Sequence, residues 1–354
     1  MLILITNITL GTRTGTELYV RDLATALLDR GHTPIVYTME LGPVAQELRA
    51  ASVTVVDELD ALAALPDLIH GHHNVPTMKA LLRFPKVPAV FVCHDARSWH
   101  DSPPRAPSIF QYVAVDLDCR NRLSLMRGIP EDRIRLLLNF VDLKRFAPRG
   151  PLPPYPARAL VFSNYASKHT HLGAVREACA RAGIALDVIG ARAGKVCAKP
   201  EEVLQRYDLV FAKGRCALEA GAVGAAVVLC DAAGAGPMVT TAEVDRLRPL
   251  GIRALSQRIE PGTLLQEIAR YDPKDAAEVS RRIRATAGLE AAVDQLTLLY
   301  QEAIADYRSQ RDYEGEARWR ARAHLKVLGW QPLTLAWRLR RRFLKWYHCV
   351  TANP

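Results

Sequence analysis

Features of membrane, secreted and metal-binding proteins are largely missing from this sequence. No apolar run among its 354 residues is long enough to span a bilayer. Its seven cysteines are scattered without a C-x-x-C pair, so neither a zinc ribbon nor a disulfide framework is favoured. Leu2 to Ile5 form a short apolar run with no basic residue before it, which is typical of a strand and not of a secretory signal. We therefore expect a protein of the reducing cytoplasm.

Acidic residues are also missing from the last part of the chain. From Ala317 onward there is no Asp or Glu, and the nine basic residues are Arg318, Arg320, Arg322, Lys326, Arg338, Arg340, Arg341, Arg342 and Lys345. Subtracting these nine from the 47 Lys and Arg leaves 38, against 37 acidic residues, in the first 316 positions. Nine of the ten net positive charges therefore belong to a basic tail, and the rest of the chain is nearly neutral.

Four of the five tryptophans lie in the same tail, at positions 319, 330, 337 and 346. Tryptophan among Lys and Arg is typical of a helix at a membrane interface, so residues 318–347 predict peripheral contact with an anionic membrane surface. Packing of these aromatic rings on the body of the protein is the alternative. Nucleic acid is not favoured as a partner, because no nucleic-acid-binding module is recognisable.

The rest of the chain has the alternating pattern of an α/β protein. Its length suggests about two domains, and 49% apolar residues suffice for buried cores. Short β-rich runs alternate with segments of helical period, which predicts parallel sheets with crossover helices. The predicted strands are Leu2–Thr6, Ile35–Thr38, Val53–Val56, Leu68–His70, Ala89–Cys93, Tyr112–Val115, Ile134–Leu138, Ala159–Ser163, Leu186–Ile189, Leu209–Ala212 and Ala225–Cys230. The predicted helices are Glu17–Arg30 (ended by Gly31), His171–Ala182, Pro200–Arg206, Leu218–Gly224 and Leu289–Tyr307.

A proline-rich segment divides this series of elements. Five prolines lie between Pro148 and Pro156, where neither a helix nor a central strand can continue. We therefore predict an N-terminal domain over 1–150, a C-terminal domain with a return helix over 151–314, and the basic tail over 315–354.

Ligands of open α/β sheets bind beyond the carboxyl ends of the strands. The residues in such places are 11–17, 70–74 and 94–95 in the first half, and 163–168, 190–194, 213–219 and 231–237 in the second. The glycine-containing loop between Gly11 and Gly15 precedes a helix and could receive an anion. It has neither the G-x-G-x-x-G spacing nor a Walker lysine, which disfavours a dinucleotide-dependent oxidoreductase, and a simple tight turn remains the alternative.

Several side chains at these strand ends suit a bound nucleotide. His94 could position a substrate hydroxyl, and the alternative is a histidine satisfied by a backbone carbonyl. Lys168, Lys213 and Arg215 could pair with a diphosphate, although each could also be a solvated surface residue. Glu219 could accept two ribose hydroxyls, or serve only as a helix-start carboxylate. Three further histidines, His70, His72 and His73, do not have the spacing of a metal site, so no metal is expected.

An ordered set of motifs resembles the large retaining glycosyltransferase family 4. The segment from Asn139 to Pro148, Asn-Phe-Val-Asp-Leu-Lys-Arg-Phe-Ala-Pro, is similar to the signature that closes the family's N-terminal domain. The other matches, in the family's order, are Gly15-Thr16-Glu17, Arg30-Gly31-His32, Pro66-Asp67-Leu68-Ile69-His70, His94-Asp95, and Leu218-Glu219-Ala220 followed by Gly224 and Val227-Val228. They cover roughly residues 1 to 305, and their conserved order makes the set specific.

The resemblance implies the GT-B fold, in which two Rossmann-like, doubly wound domains face a cleft. It also implies a glycosyltransferase of hexosyltransferase type that retains configuration, needs no cofactor and uses a UDP- or GDP-sugar as donor. The acceptor would be a glycan or a lipid-linked intermediate of cell-envelope polysaccharide or glycolipid synthesis. His94 would lie near the transferred sugar as the catalytic residue. The implied donor-binding residues are Gly15, Thr16, Ser163, Lys168, Gly190, Lys213, Gly214, Arg215 and Glu219.

Two positions depart from the family pattern. The family's first Glu, eight positions before Glu219, corresponds to Phe211, and the Arg usually found five residues before Lys168 corresponds to Ser163. Lys213 or Arg215 could supply the missing charge. The departures leave open a second hypothesis, a catalytically divergent nucleotide-binding or scaffold protein with the same fold.

Overall fold

The computed structural model describes residues 1–310, 312 and 314–323. The predictions made for the tail beyond Ala323, including the three later tryptophans, lie outside the described residues. The chain divides into two compact units. Unit 1 comprises residues 1–114, 118–136 and the described residues from Val293 onward, and unit 2 comprises residues 115–117 and 137–292.

Unit 1 contains a seven-stranded parallel sheet in the part of the chain that the structure describes. Its strand order is β3-β2-β1-β4-β5-β6-β7. The strands are β1 Leu2–Asn7, β2 Thr33–Thr38, β3 Thr54–Val56, β4 Leu68–His72, β5 Ala89–Cys93, β6 Ile109–Ala114 and β7 Ile134–Leu136. The order reverses between β1 and β4, which makes their carboxyl ends the switch point where such sheets bind ligands.

Helices α1 Gly15–Asp29, α2 Pro43–Ala50, α3 Asn74–Arg83 and α4 Leu117–Asn121 belong to the first part of the chain. The apolar face of α1 is buried through Leu23 and Leu27, which explains the helical period seen in the sequence. The helix ends at Asp29, and Gly31, two residues later, has a φ of +76°, in the left-handed region that glycine tolerates.

Unit 2 contains a five-stranded sheet among the described residues, with the order β12-β11-β10-β8-β9. The strands are β8 Arg158–Phe162, β9 Ala185–Ile189, β10 Leu209–Ala212, β11 Ala226–Asp231 and β12 Gly234–Met238. All the pairings are parallel except that of β12 with β11. The switch point lies between β8 and β10. Strand β12 replaces most of the loop that the sequence predicted over 231–237, because the chain turns back directly after Asp231.

The later helices are α5 Leu172–Arg181, α6 Pro200–Leu204, α7 Gly214–Val223, α8 Val244–Leu247, α9 Pro261–Ile268, α10 Pro273–Thr286 and α11 Leu289–Gln310. Alternate residues of the unit 2 strands enter two apolar cores on opposite faces of the sheet. Leu160 and Val210 lie in one core, and Val161 and Phe211 lie in the other. Phe211 is fully buried. The position that corresponds to the family's first Glu, eight residues before Glu219, is therefore occupied by a side chain of the apolar core.

The proline-rich segment contains no helix or strand, and a buried carboxylate holds its two ends. Asp208 is paired with Arg149 at 3.0 Å and accepts the backbone N–H groups of Ala157 and Arg158. The two compact units nevertheless separate at 136/137 and 292/293, not at 150 and 314, because residues 137–150 pack within unit 2. Among the described residues, no helix has the length and apolar character needed to cross a bilayer.

Candidate functional site

Three polar side chains meet at the carboxyl edge of the unit 2 sheet. Asp231 ends β11, and Ser163 and Lys213 directly follow β8 and β10. Ser163 Oγ donates to Asp231 Oδ1 at 2.8 Å, and Lys213 Nζ lies 2.5 Å from Asp231 Oδ2. Burial raises the pKa of Asp231, but the contacts with Lys213, the Ala232 N–H and Ser163 outweigh burial and hold the pKa below its ordinary value of 3.8. This cluster therefore contains an ionised, paired carboxylate.

Arg215 and Glu219 form a second buried pair on α7. Arg215 Nε lies 2.7 Å from Glu219 Oε1, and the side chains are 10% and 3% exposed. The sequence placed Glu219 at a helix start, and this was wrong because α7 already begins at Gly214, which puts Glu219 in the second turn. The two predicted substitutes for the missing arginine, Lys213 and Arg215, are thus both bound to carboxylates, and their donor-binding roles stay predictions.

Two adjacent loops complete this edge of unit 2. Gly190 lies so close to Ser163 that a Cβ at position 190 would be 1.9 Å from the Ser163 carbonyl oxygen. Asn164 Oδ1 accepts the N–H of Ala191 at 3.1 Å. The half-exposed ring of Tyr165 lies beneath two cations, with Arg192 at 5.6 Å and Lys213 at 5.5 Å from its centroid. The glycine at position 190 is therefore required by the close approach of the two loops.

His171, which the sequence analysis did not single out as a site residue, lies beside the same cluster. It is 1% exposed, and neither of its ring nitrogens has a hydrogen-bond partner among the described residues. Burial lowers its pKa, and Lys213 acts in the same direction while Asp231 opposes both. No sequence signal marks it, because it precedes α5 like an ordinary helix-start residue.

Lys168 and Glu219 differ in their exposure to solvent. Lys168 is exposed and lines an open cavity beside β9, whereas Glu219 is buried on α7. The proposed division of roles, with Lys168 on the diphosphate and Glu219 on the ribose, stays a prediction.

The backbone of the glycine-containing loop in unit 1 donates hydrogen bonds to the carboxylate of Glu17, at the start of α1. Gly15 and Thr16 are the first two helical residues. Glu17 accepts the backbone N–H groups of Thr12 and Thr14, at 3.2 and 2.9 Å. These N–H groups are therefore engaged by a capping side chain, which reduces their capacity to receive an anion. The anion-binding roles of Gly15 and Thr16 stay predictions.

His94, the catalytic candidate, contacts a second histidine. His94 Nε2 lies 2.7 Å from Nδ1 of His72, and Tyr19 packs edge-on against both rings. The backbone N–H of His94 donates to Asp101 Oδ1 at 3.0 Å. Burial, followed by the charges of the neighbouring histidines, holds the pKa of His72 well below 6.5. A neutral imidazole therefore fixes the orientation of His94 from the protein interior.

A third histidine lies deeper in the same strand. His70 Nδ1 lies 2.6 Å from the hydroxyl of Tyr300 on α11, and its ring is 4.5 Å from that of His72. Burial lowers the pKa of His70 to about 3. Strand β4 extends to His72, so the predicted end of this strand at His70 was two residues too early. In the described part of the chain, no three His, Cys, Asp or Glu side chains are grouped to hold a metal ion.

The N-terminal part of the chain matches a known family. Residues 13–145 match the model of Glycosyltransferase Family 4. The resemblance drawn from the motifs is thereby confirmed for this region. None of the curated proteins matches the chain significantly in sequence.

Solved structures identify the fold of the remaining chain as well. A glycosyltransferase from Rickettsia africae has a TM-score of 0.60 and 14% identity, over 86% of this chain and 98% of that one. The Anabaena protein HepE, solved in complex with UDP, has a TM-score of 0.61 and 15% identity, over 85% and 100%. Sucrose-phosphate synthase from Thermosynechococcus elongatus has a TM-score of 0.55 and 13% sequence identity, and the match covers 86% of this chain and 99% of that one. The predicted GT-B fold is confirmed by these similarities.

Proposed function

We propose that this protein is a glycosyltransferase that takes a sugar from a nucleotide-sugar donor. The observation that carries the proposal is the match of residues 13–145 to Glycosyltransferase Family 4 in a chain with the GT-B fold. Support also comes from the two switch points, where each unit presents polar side chains at the carboxyl ends of its strands. HepE was solved with UDP, and we extend a donor of that class, a UDP- or GDP-sugar, to this chain.

The chemistry follows from the charge that develops during transfer. When the acceptor hydroxyl attacks the anomeric carbon, negative charge grows on the departing phosphate oxygen, which cationic side chains and N–H groups stabilise. We assign this task to unit 2, and the orientation of the sugar or acceptor to His94 of unit 1. Burial lowers the pKa of His72 and keeps its ring neutral. In this proposal, His72 therefore adds no positive charge near the reacting sugar.

The finer parts of the proposal are the retaining stereochemistry, the hexosyl donor and the lipid-linked or glycan acceptor. They rest on the resemblance and on the tail composition. An acceptor held in a membrane would suit a tail with nine basic residues and four tryptophans. We include peripheral membrane association and a role in cell-envelope polysaccharide synthesis as parts of the same proposal.

The test is release of nucleoside diphosphate from a panel of UDP-, GDP-, ADP- and CDP-sugars, with the full chain and extracts of glycolipids and glycans as acceptors. The matched pair of variants is His94→Ala and His32→Ala. His32 belongs to the same unit but precedes β2, so it lies at the amino ends of the strands. His94 instead follows the carboxyl end of β5. We expect His94→Ala to lose at least tenfold in kcat/KM and His32→Ala to stay within twofold. Equal activity of both variants would remove His94 from the mechanism.

One observation supports the second hypothesis, that the protein is a nucleotide-binding scaffold without activity. Lys213 and Arg215 are both paired with carboxylates within unit 2, which leaves them less charge for a diphosphate. The same panel separates the hypotheses. A nucleotide-induced rise in Tm without release of product favours the scaffold, and turnover excludes it.

A further inference from the structure

Two histidines from neighbouring strands are bonded to each other at the carboxyl end of the unit 1 sheet. Strands β4 and β5 pair in parallel with His72 opposite Val92, and His94 follows Val92 by two residues. Side chains two positions apart lie on the same face of a sheet, so this register brings the two imidazoles together. Nδ1 of His72 lies 2.7 Å from Nε2 of His94. One of these two nitrogens therefore donates a hydrogen bond to the other.

The ring of His72 has a fixed position in the interior of unit 1. The residue is fully buried. Its backbone is held by the hydroxyl of Thr6, which accepts the N–H of His72 at 3.1 Å and donates to its carbonyl oxygen at 3.2 Å. The His72 ring contacts those of His70 and Tyr19, with centroid distances of 4.5 and 5.3 Å. His72 is therefore in place before any ligand binds.

The second ring nitrogen of His72 decides which imidazole is the donor. Burial and the neighbouring histidines hold the pKa of His72 well below 6.5, so its ring is neutral and carries one proton. Nε2 of His72 is buried and has no hydrogen-bond partner in the described part of the chain. If His94 were the donor, the proton of His72 would be on this Nε2, as a buried N–H without an acceptor. Orphaned buried N–H groups are rarer than orphaned acceptors, so the arrangement favours a proton on Nδ1 of His72.

We propose that His72 is a positioning residue that sets the tautomer of His94. Nδ1–H of His72 donates to Nε2 of His94, and the neutral ring of His94 therefore carries its own proton on Nδ1. The consequence for catalysis rests on the proposed function. At Nδ1, His94 can only donate a hydrogen bond, to an oxygen of the sugar or of the acceptor. Because Nε2 is occupied by His72, neither nitrogen of His94 is available as a base.

The first experiment locates the protons directly and needs neither ligand nor turnover. The full-length protein is labelled at the ring nitrogens of histidine and studied by NMR at neutral pH, where protonated and unprotonated ring nitrogens have well-separated shifts. His72 and His94 are assigned by comparison with single variants. We expect both rings to be protonated at Nδ1, with a scalar coupling between Nδ1 of His72 and Nε2 of His94. A proton on Nε2 of His94 overturns the proposal.

A matched pair of variants then tests the cause of this tautomer. His72→Leu and His70→Leu both replace a fully buried histidine of β4, but His72 is bonded to His94 whereas His70 is bonded to Tyr300. We expect the His94 tautomer protonated at Nε2 to become at least tenfold more populated in His72→Leu, and to change less than twofold in His70→Leu. An unchanged tautomer in folded His72→Leu overturns the proposal. If that variant does not fold, the wild-type spectrum still decides.

The third experiment tests whether the tautomer matters for transfer. The constant kcat/KM is measured with the nucleotide sugar that the wild type uses best, for His72→Leu, His94→Ala and the double variant. We expect His72→Leu to lose at least fivefold, and the double variant to stay within twofold of His94→Ala, because His72 acts only through His94. Losses that multiply overturn the positioning role in catalysis. Absence of turnover with every donor refutes the proposed function instead, while the spectra decide the tautomer independently.

Discussion

The Lys213–Asp231 pair offers a quantitative test of the unit 2 site. Replacing Lys213 by Met leaves the Asp231 carboxylate, 2% exposed, with Ser163 but without its cation. Removing one partner of a buried pair costs about 3–5 kcal/mol, whereas exposed pairs contribute about 0–1 kcal/mol. Because the Lys213 side chain is 32% exposed and solvent screens part of the attraction, we expect a loss of about 2 kcal/mol. For a unit of this size that corresponds to a fall in Tm of about 4–8 °C.

The matched control is Lys199→Met. Lys199 lies 2.8 Å from Glu202, but the two side chains are 67% and 59% exposed. We expect this variant to lose at most about 0.5 kcal/mol, because the pair is fully screened by water. Both variants are measured by differential scanning calorimetry at pH 7, which reports the stability of unit 2 without requiring a ligand.

The pH dependence of this loss gives a second check. The pKa of Asp231 in the folded protein is below its ordinary value of 3.8. The pair therefore stabilises the fold fully above pH 3.8, and this stabilisation is lost as the pH falls through the folded pKa. The difference between wild type and Lys213→Met should be largest at neutral pH and shrink below pH 4. Equal losses for the two lysine variants, or a difference that persists in acid, would refute the pairing argument.

Two further substitutions test close contacts elsewhere. Gly190→Ala places a Cβ 1.9 Å from the Ser163 carbonyl oxygen, so we expect a loss of about 3 kcal/mol in urea unfolding. Gly173→Ala, with open space around its Cβ, should be neutral, and equal losses would contradict the steric argument. Tyr300→Phe removes the hydroxyl beside the buried His70 and should cost about 1–3 kcal/mol. Tyr155→Phe, whose ring is 84% exposed, should leave stability unchanged, and a silent Tyr300→Phe would rule out the hydrogen bond as a stabilising contact.

The strand pattern of the sequence predicted the two sheets well. Ala89–Cys93 and Leu209–Ala212 have the bounds found in the structure, because a continuous apolar run between polar turns is the signature of a buried parallel strand. The start of α7 was missed for a physical reason. Gly214 has a φ of +58°, and a glycine after Lys213 gives the appearance of a loop although the helix begins there.

The contacts of the candidate site were much less predictable. Ser163 and Asp231 are 68 positions apart, and Tyr300 lies 230 positions after His70. Such pairings depend on strand order and on the path of α11, which local patterns do not contain. The local sequence pattern therefore indicates the strand ends that could carry a site, but it does not indicate that Lys213 and Arg215 are paired with carboxylates.

The path of α11 has a consequence for how the protein is made. Tyr300 is synthesised long after the strand it supports, and the described residues from Val293 onward complete unit 1. A nascent chain that has emerged only to residue 136 has all seven strands of the first sheet but still lacks the helix that contacts His70. The middle of the chain, 137–292, can reach its compact form sooner. On the ribosome, unit 1 therefore cannot be completed before the residues from Val293 onward have been made.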